Sequence, residues 1–165
     1  MHPKRLIELQ EGYRVDAAKY VLYWMQQSQR VHYNHALNHA IRLANHYHLP
    51  LVVFFGLTKS YPEANERHYH FMLEGLQEVK AILIKFGVNF VFKLESPEIG
   101  IQSYLEDAQA LVMDYGYLGH LKLWRKQVLD VAVERYPYLK VDMIETDTIV
   151  PVKYADDKAA YGAYT

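Results

Sequence analysis

Five apolar runs alternate with four amphipathic stretches along the chain. Lys19–Met25, Leu49–Leu57, Val88–Leu94, Ala110–Asp114 and Leu139–Ile144 have the length and the branched and aromatic content of strands. Between them, Val31–His48, Asn65–Phe86, Pro97–Glu106 and Gly119–Arg135 carry apolar residues at helical spacing. Gly87 follows Phe86, where a helix end favours a left-handed residue, and Ser96–Pro97 reads as a cap followed by proline at the first helical position. This alternation predicts a three-layer, doubly wound α/β domain, Rossmann-like or flavodoxin-like, with a five-stranded parallel sheet.

The polarity of the runs also orders them. "YVLYWM", "LVVFFGL" and "ALVM" are apolar almost without a break, as strands covered on both faces are. "VNFVFKL" and "KVDMIE" alternate polar and apolar residues, which suits edges. Strands one, two and four are therefore expected in the centre, and right-handed crossovers give the order 3-2-1-4-5. The winding reverses between strands one and four, and ligands in such sheets bind beyond the carboxyl ends of the strands at that point. Two loops meet there, Gln26–Arg30 and Tyr115–Gly119.

Composition narrows the chemistry. The chain has 165 residues, 22% charged, with a formal net charge of −1, so one soluble domain without a basic field for nucleic acid is expected. It has no cysteine, which removes disulfides and thiolate chemistry. No apolar run is long enough to cross a membrane and the first residues lack the apolar core of a signal peptide, so the cytoplasm is the expected location. Fifteen tyrosines favour contact with a ring or another protein.

The loop "MQQSQRV" has no glycine, which argues against a phosphate cradle of the dinucleotide or P-loop kind. His32, His35, His39, Arg42 and His46 form one stripe opposite Ala36, Leu37, Ala40, Ile41 and Ala44. The stripe reads as a solvated face, and no metal is expected. Lys122, Arg125 and Lys126 on the last helix read as solvated too, so direct DNA binding is not expected. Phe71, Met72, Leu76, Val79, Ile82 and Phe86 are available for burial on the second helix. No serine lies in a nucleophile elbow. The residues alone thus point to a glycine-free, aromatic and amide-rich pocket at the switch point, suited to a flat ligand with polar edges.

Four motifs add a resemblance: "KYVLYWMQQSQRVHYNHAL", "LPLVVFFGLTKSYPEANERHYHFMLEGLQEV", "DYGYLGHLKLWRKQV" and "TIVPVKYADDKAAYGAYT". From about Lys19 to the end, the chain resembles the N-terminal domain of class II cyclobutane-pyrimidine-dimer DNA photolyases. The resemblance implies an N-terminal extension (1–18), a photolyase-type α/β domain (19–150) and the start of an interdomain linker (151–165). It implies an antenna pigment of deazaflavin, FMN or folate type, passing excitation to FAD in a helical domain absent from this chain. Dimer splitting would belong to that domain, so no catalytic residue and no repair by this chain alone are expected. Trp24, Met25, Gln29, Arg30 and Asn34 match the family's first loop and helix start. Arg67 and His68 match its second helix, and Asp114, Tyr117, Leu118 and Trp124 its fourth strand and helix. Tyr115 stands where the family commonly has a basic residue.

The expected cofactor-binding set is Trp24, Met25, Gln29, Arg30, Asn34, Asp114 and Tyr115, with Trp24 and Tyr115 giving ring contact. The expected partners are a planar chromophore and a separate helical photolyase domain or a second copy of the chain. The alternative is a ligand-free interaction module pairing through a tyrosine-rich tail, Tyr154, Tyr161 and Tyr164.

Overall fold

The computed structural model describes residues 1–152. The tail tyrosines Tyr154, Tyr161 and Tyr164 lie outside the described residues. The strands are β1 (Leu6–Gln10), β2 (Tyr20–Trp24), β3 (Leu51–Gly56), β4 (Asn89–Lys93), β5 (Ala108–Asp114) and β6 (Lys140–Ile144). The helices are α1 (His35–Tyr47), α2 (Glu66–Lys85), α3 (Pro97–Gly100) and α4 (Gly119–Arg135). They form one Rossmann-like sheet in the order β1-β6-β5-β2-β3-β4.

The expectation of five strands in the order 3-2-1-4-5 is corrected by this sheet. Among the described residues it has six strands, because β1 adds antiparallel to β6, with Leu6 opposite Ile144 and Glu8 opposite Asp142. Gln10 then pairs with Val141 across a bulge. The alternating "LIELQ" is too short to stand out as a strand, and its partner lies at the other end of the chain. The remaining five strands are mutually parallel and run β4-β3-β2-β5-β6. Consequently β6 is covered by β1 and is not an edge. The winding reverses between β2 and β5.

Strand alternation sends residues to two cores. Val21, Tyr23, Met25, Val53, Phe55 and Val112 pack under α1 and α2 with Leu37, Ala40, Leu76 and Leu83. Leu22, Trp24, Phe54, Leu111 and Met113 pack on the opposite face with Ile101, Leu105, Val128 and Ala132. Burying one large apolar side chain of this kind stabilises by about 2 kcal/mol. The unbroken apolar runs of β2, β3 and β5 follow, because each alternate residue enters one core or the other. Among the described residues no helix is long and apolar enough to cross a membrane.

Several faces differ from their sequence reading. α1 starts four residues later than expected, since Tyr33 takes a left-handed φ of 54° and the Asn34 side chain caps the helix by accepting from the Leu37 N–H at 2.8 Å. The His39 stripe is not wholly solvated. His39 is buried and its Nε2 donates to Asp142 of β6 at 2.7 Å. Asp142 is itself buried, and its other oxygen lies 3.4 Å from Lys140 Nζ, which also reaches Glu8 of β1. Arg125 is likewise buried, donating to the Gly116 carbonyl at 2.7 Å. Phe71 and Phe86, read as available for burial, are exposed, because α2 presents Leu76, Val79 and Leu83 to the sheet instead.

Two tyrosines of β2 make the fold sensitive to alkali. Burial, then the nearby Asp107, pushes the Tyr20 phenol up to about 12, while its hydroxyl donates to the Tyr104 carbonyl. Burial, then Asp114, raises Tyr23 well above the ordinary value. An acid whose folded pKa is raised binds more protons in the folded state, so stability falls as pH rises between the unfolded and folded values. The contribution of these two tyrosines to stability is therefore expected to be constant below pH about 9 and to be lost from about 10 upward. Urea unfolding at stepped alkaline pH measures this, and an unchanged midpoint between pH 9 and 11 would contradict it.

Candidate functional site

Beyond the carboxyl ends of β2 and β3 the chain encloses a cleft of about 450 Å³. Gln26, Gln27 and Gln29 from the loop after β2 form one wall. Phe55, Gly56 and Leu57 at the end of β3 lie beside them, and Leu121 and Trp124 of α4 close another side. Gly56 is required there, because a Cβ at this position would sit 2.6 Å from the Pro97 Cα. The loop after β3 supplies Tyr61 and Pro62, and α2 supplies His68 and Met72.

The aromatic side of the cleft is built from rings that meet edge to face. Tyr61 lies 4.9 Å from His120 and 6.2 Å from Trp124, and His120 lies 5.4 Å from Trp124. Tyr69 holds this loop in place. Its hydroxyl donates to the Thr58 carbonyl at 3.0 Å and accepts from the Tyr61 N–H at 3.2 Å. At the start of α2, Asn65 and His68 form a reciprocal capping box. The Asn65 N–H donates to His68 Nδ1 at 3.1 Å, so the ring hydrogen sits on Nε2 and is available to donate. Gln29 donates to the Gln26 carbonyl at 3.0 Å, which leaves its own amide oxygen as an acceptor. The cleft therefore offers ring faces and edges, amide groups and a histidine donor.

Comparison with known proteins gives this geometry its family. The family model described as DNA photolyase matches residues 21–165. The chain belongs to the DNA photolyase family. It is 42% identical over 146 residues to a deoxyribodipyrimidine photo-lyase of Methanothermobacter thermautotrophicus, covering 88% of this chain and 32% of that protein. It is 36% identical over 163 residues to one of Potorous tridactylus, covering 98% of this chain and 30% of the relative. The chain thus spans about a third of the length of the curated photolyases it matches. Among solved structures, a protein of Pseudomonas aeruginosa assigned to the universal stress proteins superposes with a TM-score of 0.58 at 12% identity. The match covers 86% of this chain and 52% of that one, a likeness of fold.

The structure separates the seven residues read as cofactor-binding. Of these, Gln29 lines the cleft. Trp24 and Met25 are fully buried in the two opposite cores, so Trp24 offers no exposed ring face. Asn34 is buried at its cap, where its amide nitrogen donates to the Ser28 and Arg30 carbonyls and to the Tyr23 hydroxyl. Asp114 is buried at the end of β5. One of its oxygens accepts from the N–H groups of Gln26, Gln27 and Ser28 at 3.0, 2.9 and 3.0 Å. The other accepts from the Tyr23 hydroxyl at 2.9 Å. Burial pushes the Asp114 carboxyl up, against the lowering pull of these donors. The Tyr115 ring lies under the Arg125 guanidinium, 5.5 Å away, and meets Tyr117 edge to face.

Arg30 faces the segment that follows β6. It donates to the Thr146 carbonyl at 3.2 Å and pairs with Asp147 at 3.6 Å, while the Ser28 hydroxyl donates to the same carboxylate at 2.6 Å. Glu145 completes this anchorage by accepting from the Tyr117 hydroxyl at 2.6 Å and from the Thr148 hydroxyl at 2.8 Å. The polar residues of the first loop thus fasten the chain leaving the sheet. Tyr61 escaped the sequence reading, although its loop follows the second central strand at the same carboxyl edge. His68 and Trp124 were matched to the family motifs.

Proposed function

We propose that this domain binds a planar light-absorbing ring in the cleft beside β2 and β3 and serves as the antenna of a photolyase. The observation that carries the reading is the cleft itself. It is of ligand size, and one side is built by Tyr61, Trp124 and Leu121 and the other by three glutamines. A tricyclic or pteridine ring suits such walls, with aromatic contact at its faces and edges and amide groups for its carbonyl and N–H edge. When bound, such a pigment absorbs light and passes excitation to a second cofactor. That transfer needs no acid, base or nucleophile from this chain. Here the protein orients the ring and excludes water from it.

The relatives about three times as long are named deoxyribodipyrimidine photo-lyases, and in such a protein this domain's part is the supply of excitation. Titration with a deazaflavin, a flavin and a reduced folate, followed by fluorescence, tests the reading. One of the three is expected to saturate a single site, and failure of all three would remove the antenna role. Tyr61→Ala is expected to weaken the binding pigment roughly tenfold, by loss of aromatic contact. Its melting temperature should stay within about 2 °C of the parent, since Tyr61 stands on a loop. Unchanged affinity would place the ring elsewhere.

A further inference from the structure

We infer that Asp114 is the resident anion of the first loop, and that it makes the adjoining cleft select a ring ligand that carries no phosphate. The selectivity rests on the antenna reading above. The anion assignment stands on the loop geometry alone.

The N–H groups of Gln26, Gln27 and Ser28 are consecutive and converge on one oxygen of Asp114, all within 3.0 Å. Convergent backbone N–H groups in a turn make a concavity for an anion. They sit at the carboxyl end of a central parallel strand, beside the reversal of winding, where α/β domains place the phosphate of a nucleotide. The loop builds this nest without glycine, and what fills it is a carboxylate from the neighbouring strand. The Tyr23 hydroxyl donates to the second oxygen, and Asn34 holds both Tyr23 and the Ser28 carbonyl. Asp114 is only 3% exposed, so the nest is closed to outside anions.

The same loop faces the cleft with Gln26, Gln27 and Gln29. Among the described residues lining the cleft, Glu63 is the only aspartate, glutamate, lysine or arginine. Of the nearby cations, Arg30 is committed to Asp147 and Thr146 and Arg125 to Gly116 and Tyr115, while Lys59, between Thr58 and Tyr61, is exposed and does not line the cleft. Arg67 lines a neighbouring groove together with Glu66 and Glu74. A phosphate on the ligand therefore meets no lysine or arginine in the cleft lining. It meets instead Glu63 and a loop whose anion position is already taken, and like charges brought together select against the charged ligand.

Riboflavin and FMN differ by one phosphate and serve as the probes. Titrated into the wild-type chain, riboflavin is expected to bind at least about tenfold more tightly than FMN. In Asp114→Asn, which keeps the shape and removes the charge, that ratio is expected to fall toward one. In Asp114→Ala the nest is vacated. Sodium formate, a carboxylate-sized anion, is then expected to raise the melting temperature by several degrees over sodium chloride of equal ionic strength, and to leave the wild type unchanged. FMN binding the wild type as tightly as riboflavin would overturn the selectivity, and a formate-insensitive Asp114→Ala would overturn the resident anion. If neither flavin binds, the ring-binding reading fails by itself, and the formate comparison still decides the role of Asp114. Should Asp114→Ala not fold in either salt, the change of ratio in Asp114→Asn carries the test.

Discussion

Replacing Asp114 by alanine is expected to destabilise the domain by about 3 kcal/mol. The carboxylate ends four hydrogen bonds, three from backbone N–H groups and one from Tyr23. Hydrogen bonds to a charged group contribute about 1.5–3 kcal/mol each, but they do not add, and water can reach the Gln26 and Gln27 N–H groups once the carboxylate is gone. The Ser28 N–H and the Tyr23 hydroxyl are fully buried and would lose their acceptor. In urea the midpoint should drop by roughly 1.5 M. The loss should also be local. Hydrogen exchange is expected to rise first in Gln26–Arg30 and in 145–148, since Ser28 and Arg30 hold Thr146 and Asp147. A drop below about 1 kcal/mol would mean that the N–H groups find other partners and that Asp114 does not shape the loop.

A loss at least as large is expected from Asp142→Ala, about 3 kcal/mol or more, because removing this buried carboxylate leaves His39 without its 2.7 Å partner and Lys140 without its 3.4 Å one. The Asp142 side chain is 1% exposed, and it stands between His39 of α1 and Lys140, which in turn reaches Glu8 of β1. Removing it strands His39 in the core face of α1 and loosens Lys140 on β6. Replacing both residues, as His39→Leu with Asp142→Leu, is expected to recover much of the loss, because a well-packed apolar pair avoids the desolvation of two polar groups. Urea unfolding of the two single variants and the double variant measures the coupling. Strictly additive losses would contradict a direct His39–Asp142 interaction.

These two carboxylates show where sequence reading succeeds and where it stops. The central strands were legible, because a strand covered on both faces is apolar at every position, as Val21–Met25 and Val52–Phe55 are. Strand polarity also put the working end of the sheet at the loop after Trp24. Hidden from the sequence were the partners supplied by distant elements. Asp142 lies 103 residues from His39, and without it the histidine stripe of α1 looks like a solvated face. Asp114 looks like a ligand-binding group at a strand end until the loop 88 to 86 residues before it is seen to enclose it. Arg125 looks like surface charge until the Gly116 carbonyl is placed beside it. The same limit applies to β1, whose pairing with β6 spans nearly the whole chain. Trp24 illustrates a further limit: the last residue of a buried strand can point into the core or out over the end of the sheet, and alternation alone sends it inward here.

The cleft shifted for a related reason. The reversal between β2 and β5 is filled by Asp114, Tyr23 and Asn34, so the space for a ligand opens on the β3 side, between the glutamines of the first loop and the aromatic rings of Tyr61 and Trp124. A switch point marks the end of the sheet where a ligand binds, and side-chain volume decides which side of it is open.

The central claim is that this domain carries a light-absorbing ring. The most direct measurement is the near-ultraviolet and visible absorbance spectrum of the protein purified from its native host, before and after denaturation. The account predicts an absorption band beyond that of the aromatic residues, belonging to a compound released on unfolding that rebinds the refolded chain in about one-to-one ratio. A spectrum with the protein band alone, together with no binding of a deazaflavin, flavin or folate on titration, would contradict it.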